Sequence, residues 1–148
     1  MFMSKKTQSP KTLDIYPIES TSKIRNEFIG DVKAGFPSPA GDFMNESIDL
    51  NKYVSTHPAA TYYARANGIS MEGDFNDGDL LVIDRSLDFT EGKIVVCFID
   101  GEFTVKRIKK DAEGVWLMPT NKRYKPLLMN EENDLRIWGV VTYVIKKV

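Results

Sequence analysis

The chain has 148 residues, the usual size of one domain, and its 42% apolar and 28% charged residues are typical of a soluble globular protein. Its 20 Lys and Arg against 21 Asp and Glu leave no basic excess, so we expect no direct DNA binding. One cysteine, Cys97, and one histidine, His57, exclude an intramolecular disulfide and a zinc site built from Cys and His. The longest apolar run, 94–99, is far shorter than the roughly 18 residues of a membrane span.

Residues 1 to about 33 are rich in Lys, Ser, Thr and Pro, and their apolar residues keep no sustained period. The sequence therefore predicts a mobile arm, which could still dock on another surface. No apolar run follows the first six residues, so we expect no secretion signal and a cytoplasmic protein. Two prolines within 35–42 predict a loop there.

The rest of the chain is predicted to be mainly β, with one short helix. Asp49 can cap a short helix that contains Leu50, Tyr53 and Val54, and Pro58 limits how far this helix can extend. The dipeptide 100–101, Asp-Gly, predicts a two-residue hairpin. Apolar alternation or compact apolar runs predict strands at 61–66, 80–83, 94–99, 102–108, 115–118 and 135–145. These short strands indicate a compact, partly closed β-fold.

Alternation in the strand after the hairpin places Phe103 and Val105 on one face. Thr104, Lys106 and Ile108 lie on the other face. Whatever covers that second face decides whether Lys106 is a surface lysine or a buried one.

Several familiar chemistries lack their residues. A Ser-His-Asp triad would need His57, which we expect to be a surface or capping residue. Cys97 lies in a run typical of a strand buried on both faces, which predicts an inert thiol. The acidic run beginning at Asp74 fails as a calcium loop, because Arg85 stands where the bidentate Glu belongs. No glycine-rich phosphate loop is present, and we expect neither a cofactor nor a metal.

A serine and a lysine remain as candidate catalytic residues. Ser70 follows Gly68 closely at the end of a predicted strand, where a turn can expose its hydroxyl. Neither Ser70 nor Lys106 is evidence of catalysis by itself, because turn serines and strand lysines are common structural residues.

Three segments, in their order and spacing, resemble the LexA/UmuD family of serine/lysine self-cleaving peptidases. They are Gly-Ile-Ser-Met at 68–71, Asp-Gly-Asp-Leu-Leu at 77–81 and Gly-Glu-Phe-Thr-Val-Lys-Arg at 101–107. Upstream, Ala34-Gly35 with Phe-Pro-Ser-Pro-Ala at 36–40 resembles the scissile site and flank of the UmuD branch. Segments 48–51, 57–62 and 138–141 also fit, so the resemblance runs from about residue 32 to the C-terminus.

The arm separates the branches of that family. LexA-type repressors carry a helix-turn-helix domain upstream, and the 33 residues before Ala34 are too few and too irregular for one. The UmuD branch is therefore the closer match, although the arm is longer than expected for it.

The resemblance implies the roles of the site residues. It assigns Ser70 as nucleophile, Lys106 as general base, and the backbone N–H groups of Ile69 and Ser70 as oxyanion donors. It also implies that the chain cuts its own Ala34–Gly35 bond, which removes the arm 1–34 and leaves a peptidase domain, 35–148. Signal peptidases share the Ser-Met and Val-Lys-Arg signals, which alone identify only the wider group.

A lysine base must satisfy a physical condition. An exposed lysine has a pKa near ~10.4, so fewer than about one in a thousand is neutral at pH 7. A base that works near neutrality needs a pKa roughly 3 units lower, which burial beneath apolar side chains can supply. We therefore expect Lys106 to be desolvated when the cleavage segment closes over it.

The resemblance also implies partners. In the family, a RecA-like recombinase filament promotes self-cleavage, and the processed homodimer acts with an UmuC-like translesion DNA polymerase in the SOS response to DNA damage. Two other hypotheses remain open. The chain could be a dimeric adaptor that never cuts, or a signal-peptidase-like enzyme that processes other proteins.

Overall fold

The structure, a computed structural model, describes residues 13–17, 26–28, 46–67, 74–119, 123–130 and 135–148. Within these ranges, no helix has the length and apolar character needed to cross a membrane. The same ranges contain ten strands, one α-helix and a short 3-10 helix: β1 (Leu13–Pro17), β2 (Asn26–Phe28), β3 (Glu46–Ile48), α1 (Leu50–Val54), the 3-10 helix (Pro58–Ala60), β4 (Thr61–Ala66), β5 (Leu80–Asp84), β6 (Ile94–Ile99), β7 (Glu102–Asp111), β8 (Gly114–Met118), β9 (Leu127–Leu128) and β10 (Leu135–Ile145).

Eight of these strands form one antiparallel sheet in the order β1-β4-β5-β10-β6-β7-β8-β9. The sheet is open, with β1 and β9 at its two edges, while β2 and β3 form a separate pair. The long strand β10 lies at the centre and pairs with β6 through its first half and with β5 through its second. The prediction of a mainly β protein is confirmed.

The local signals in the sequence produce the predicted elements. Asp49 caps α1, because its Oδ1 accepts from the backbone N–H of Asn51 at 3.0 Å. Asp100 and Gly101 both have positive φ, 49° and 85°, as the tight hairpin between β6 and β7 requires. The strands β4, β6 and β10 have their predicted bounds. Strand β7 continues three residues beyond its predicted end, because its ladder with β8 holds the polar segment 109–111.

The arm contains two strands, β1 and β2, that the sequence analysis did not predict. Residues 13–17 form β1, which pairs with β4 from Leu13↔Ala66 to Pro17↔Tyr62. Leu13 is only 3% exposed. An apolar pattern of two or three residues is too short to stand out as a period, so this strand depends on its tertiary pairing with β4. The extent of the arm, 1–34, and its removal remain predictions.

The two faces of the sheet carry two apolar clusters. The first cluster consists of Leu13, Ala64, Ala66, Phe75, Leu81, Ile83, Val96 and Val105. The second cluster consists of Val95, Cys97, Ile108, Leu117 and Val140. Neighbours such as Val95 and Val96 contribute to different clusters, because side chains alternate along a strand.

Candidate active site

Lys106 lies on the face of the second cluster. It occupies β7 directly opposite Val95 of β6, two residues before Ile108. It is only 7% exposed. Phe103 and Val105 pack on the first cluster instead, so the predicted division of β7 into two faces is confirmed. Lys106 is therefore a buried lysine on an apolar face.

The surroundings of Lys106 disfavour its charged form. Burial lowers the pKa of Lys106, while the neighbouring Cys97 acts in the opposite direction. Burial also raises the pKa of the Cys97 thiol to about 12, an effect that the Lys106 ammonium partly offsets. Cys97 is fully buried, which confirms the predicted packed thiol and leaves it protonated at neutral pH.

An aromatic ring lies beside the Lys106 amine. The Nζ atom is 5.5 Å from the centre of the Tyr124 ring, which the loop between β8 and β9 supplies. Tyr124 is 45% exposed, so this ring lies at the protein surface. Such a ring attracts an ammonium by about 0.5–1 kcal/mol at exposed sites, which opposes the effect of burial. Burial nevertheless lowers the pKa of Lys106, and it is a larger effect than the opposing one of Cys97.

The Lys106 amine has no carboxylate partner among the described residues. The ion pairs of the described residues include those of His57 with Asp84, of Arg107 with Asp74 and of Lys146 with Asp79, and none of these three involves Lys106. A buried ammonium without a counter-charge is costly, and such a group usually responds by releasing its proton. Burial and the lack of a counter-charge therefore move the pKa of Lys106 in the direction that a general base requires.

Arg107, the next residue of β7, lies on the opposite face and binds two segments. Its Nη2 donates to Asp74 Oδ1 at 2.6 Å, and its Nη1 donates to the backbone carbonyl of Gly92 at 2.6 Å. Asp74 is the first described residue after Ser70 in the chain. This ion pair therefore fixes the strand that carries Lys106 to the chain that follows the predicted nucleophile.

Backbone hydrogen bonds join the chain on the two sides of segment 68–73. The Ala66 N–H donates to the Asp79 carbonyl at 2.9 Å, and the Gly78 N–H donates to the Ala66 carbonyl at 2.7 Å. The Asp79 carboxylate accepts from the Asn76 N–H at 2.8 Å and from Lys146 Nζ. The motif 77–81 thus brings the end of β4 and the start of β5 together, and Ser70 belongs to the segment between them.

The other predicted site residues lie outside the described part of the chain. These are the nucleophile Ser70, its neighbour Ile69, and the cleavage-site residues Ala34 and Gly35. Of the predicted catalytic pair, the structure describes Lys106.

His57 forms a contact that the sequence analysis missed. It lies at the N-cap of the 3-10 helix, half exposed, and its Nδ1 is 2.6 Å from Oδ2 of the buried Asp84. Burial alone would raise the pKa of Asp84, but hydrogen bonds from Ser86 and His57 outweigh it and hold the pKa below its usual range. The Ser86 hydroxyl binds the carboxylate at 2.6 Å, so this cluster holds a turn together and is not a serine–histidine relay.

Comparison with known proteins places the chain in a family. It is 41% identical over 135 residues to Protein MucA of Salmonella typhimurium, covering 88% of this chain and 92% of that protein. It is 45% identical over 132 residues to Protein SamA of the same species, covering 88% and 89%. It is 39% identical over 122 residues to the LexA repressor of Ectopseudomonas mendocina, covering 80% and 59%. The family model described as Peptidase S24-like matches residues 27–142, and the chain belongs to this peptidase family.

Proposed function

We propose that this peptidase cuts its own Ala34–Gly35 bond with Ser70 as nucleophile and Lys106 as general base. The observation that carries the proposal is the buried Lys106 amine, which faces an apolar cluster and has no carboxylate partner among the described residues. The motifs around Ser70, Lys106 and the Ala-Gly bond support the same assignment, as does the Peptidase S24-like match.

The proposed reaction has two halves. The neutral Lys106 amine takes the proton of the Ser70 hydroxyl, whose oxygen attacks the Ala34 carbonyl carbon. The tetrahedral intermediate then expels the Gly35 nitrogen, which receives the proton from Lys106. Water, with Lys106 again acting as base, hydrolyses the Ser70 ester of Ala34 and restores both residues.

Two further groups complete this chemistry. The negative oxygen of the tetrahedral intermediate needs fixed donors, and we assign them to the backbone N–H groups of Ile69 and Ser70. Small residues at Ala34 and Gly35 suit the close approach of one backbone to another, which a β-branched residue would hinder. We propose a cut without metal or cofactor.

At the level of the cell, we propose that a RecA-like recombinase filament promotes the cut. The processed homodimer would then act as accessory subunit of an UmuC-like translesion DNA polymerase in the SOS response. The resemblance to the UmuD branch supports this role, as do the near full-length matches to MucA and SamA.

The test is the mass of the purified chain after prolonged incubation at mildly alkaline pH, with N-terminal sequencing of the products. We expect the wild type to yield a fragment that begins at Gly35, and Ser70→Ala and Lys106→Ala to remain intact. Gly35→Glu should also remain intact, because it alters only the substrate segment. Lys109→Ala, a change at an exposed lysine on the same strand, is the matched control and should cut normally.

Cutting of Ser70→Ala and Lys106→Ala at the wild-type rate would contradict the assignment. A wild type that stays intact even with an activating recombinase filament would favour a non-cleaving adaptor. Cleavage of a supplied heterologous precursor, with the chain itself intact, would favour a signal-peptidase-like enzyme.

A further inference from the structure

The strand β1 covers one edge of the main sheet. It pairs with β4 over five positions, among them Leu13 opposite Ala66 and Ile15 opposite Ala64. Leu13 belongs to the first apolar cluster, and Ile15 packs against it. The alanines of β4 are small and buried, so the large side chains of β1 fill the space above them. Strand β1 therefore provides both backbone partners and apolar contacts for this edge.

Removal of β1 would leave β4 as the edge strand. Its other side is bound to β5, so one row of its N–H and C=O groups would face solvent beside part of the first cluster. Such an edge is a template for another extended chain, because backbone pairing gives affinity and alternate side chains give specificity.

The position of β1 in the chain makes it removable. It precedes both the predicted cut at Ala34–Gly35 and residue 27, where the match to the family begins. After the cut, the contacts that would hold the arm among the described residues include the pairing of β1 with β4, the apolar contacts of Leu13 and Ile15, and the three-residue pairing of β2 with β3. Loss of the covalent link also removes the high local concentration, in the mM range for a short tether, that keeps a weak strand paired.

We propose that β1 is a removable cover, and that the uncovered edge of β4 binds an extended segment of a partner protein. The pattern of β1 defines that segment: an apolar residue opposite Ala66, an acidic residue opposite the exposed Arg65, and an apolar residue opposite Ala64. The release of β1 by cleavage rests on the proposed function, whereas the ability of the edge to accept a strand does not.

The first test uses the uncut full chain, kept intact by Ser70→Ala. A second version also carries Leu13→Asp and Ile15→Asp, which remove the apolar contacts of β1. The probe is a fluorescent peptide with the sequence of residues 12–18, and its anisotropy reports binding. We expect the Asp version to bind the peptide at least about tenfold more tightly than the parent, whose edge is occupied. A peptide with Asp in place of its Leu and first Ile should not bind either chain.

The second test locks the cover in place with a disulfide between Asp14→Cys and Arg65→Cys, which are register partners. After self-cleavage, we expect the oxidised locked chain to retain its arm and to bind the probe weakly. Reduction of the disulfide should release the arm and restore tight binding. This variant keeps both apolar residues of β1, so it tests the edge even if the Asp version unfolds in circular dichroism.

Some outcomes would overturn the proposal. One is a locked chain that binds the probe as tightly after cleavage as the reduced chain does. Another is a folded Asp version that does not bind the probe. A probe that binds only by dissociating a dimer would assign the edge to a second copy of the chain instead of a partner protein. If the Asp version binds but the wild type never cuts, the proposed function fails while the edge site stands.

Discussion

The guanidinium of Arg107 binds the Asp74 carboxylate at 2.6 Å, and this contact joins the strand of the proposed base to the chain that follows the proposed nucleophile. Arg107 is 39% exposed and Asp74 is 23% exposed, so water screens the ion pair. A pair of this kind contributes less than about 1 kcal/mol to stability. Its importance in our account is positional, since Ser70 and Lys106 must come within hydrogen-bonding reach.

Arg107→Gln is therefore expected to slow self-cleavage more than it weakens the fold. Displacement of a catalytic group by about 1 Å can reduce a rate by as much as about 100-fold, so a loss of tenfold or more in the cleavage rate is expected. The melting temperature should change little. Lys109→Gln, two residues along the same strand, is the control. Equal cleavage rates for Arg107→Gln and wild type would show that the ion pair does not position the site.

Replacement of the buried amine by an apolar side chain of similar length should stabilise the protein. Burial lowers the pKa of Lys106, so between its folded value and ~10.4 the unfolded chain binds more protons than the folded chain. The contribution of Lys106 to the free energy of unfolding therefore rises with pH between its folded pKa and ~10.4. Below its folded pKa the buried amine is charged, and its cost to the stability of the fold is largest. We expect Lys106→Met to be more stable than wild type at pH 7 by roughly 1 kcal/mol.

The difference in the free energy of unfolding between Lys106→Met and wild type should become smaller as the pH rises toward ~10.4, the ordinary pKa of lysine. Urea unfolding at a series of pH values measures it. Burial raises the pKa of Cys97 to about 12, so the contribution of this thiol to the free energy of unfolding falls as the pH rises. This decrease occurs in both proteins and therefore largely cancels in the comparison. A constant gap, or a less stable Met variant at pH 7, would count against a desolvated amine.

Tyr124 is expected to influence Lys106 through the cover that its ring provides. Tyr124→Ala should admit water and move the pKa of Lys106 back toward its ordinary value, whereas Tyr124→Phe should leave it unchanged because the ring stays. The measurement is the pH midpoint of Lys106 modification by an amine-reactive reagent, followed by mass spectrometry. A midpoint, unlike a rate, does not depend on how easily the reagent reaches the amine. If Lys106 is modified with the same pH midpoint in Tyr124→Ala and Tyr124→Phe, the ring of Tyr124 does not affect the pKa of Lys106.

Asp79 is expected to carry a large part of the stability that is lost in acid. Burial alone would raise the pKa of Asp79, but hydrogen bonds from Asn76 and Lys146 outweigh it and lower the pKa. Its stabilisation is therefore present above the unfolded value of ~3.9 and is lost as pH falls through the lower folded value. Asp79→Asn should reduce the free energy of unfolding at pH 7 by about 1–3 kcal/mol.

The Asp79→Asn chain should also lose less stability than wild type as the pH falls from ~3.9 through the lower folded pKa of Asp79. Chemical unfolding at each pH provides the comparison. Asp88→Asn, at an exposed aspartate, should match wild type throughout. If Asp79→Asn and wild type show the same acid profile, the hydrogen bonds to this carboxylate do not control acid stability.

Local patterns made much of the sheet predictable. Alternation located β4, β6 and β10 with their bounds and assigned Lys106 to the face opposite Val105. The turn dipeptide 100–101 fixed the hairpin, because few residues adopt positive φ at both central positions. These signals depend on residues that are close in the chain.

Features that depend on topology were not predictable in the same way. The Tyr124 ring reaches Lys106 from a loop beyond β8, and Asp84 reaches His57 from the end of β5. Likewise, β1 is too short for its own pattern to reveal it, and it exists because β4 offers a free edge. The burial of Lys106 likewise depends on which strands neighbour β7, a property of the whole sheet.

The most direct test of the account is an NMR titration of the Lys106 side chain in the uncut full chain carrying Ser70→Ala. Comparison with Lys106→Met assigns the signal. The account predicts a midpoint for Lys106 below ~10.4, the value of an exposed lysine. A Lys106 midpoint at or above ~10.4 would contradict the claim that burial prepares this amine to act as a base.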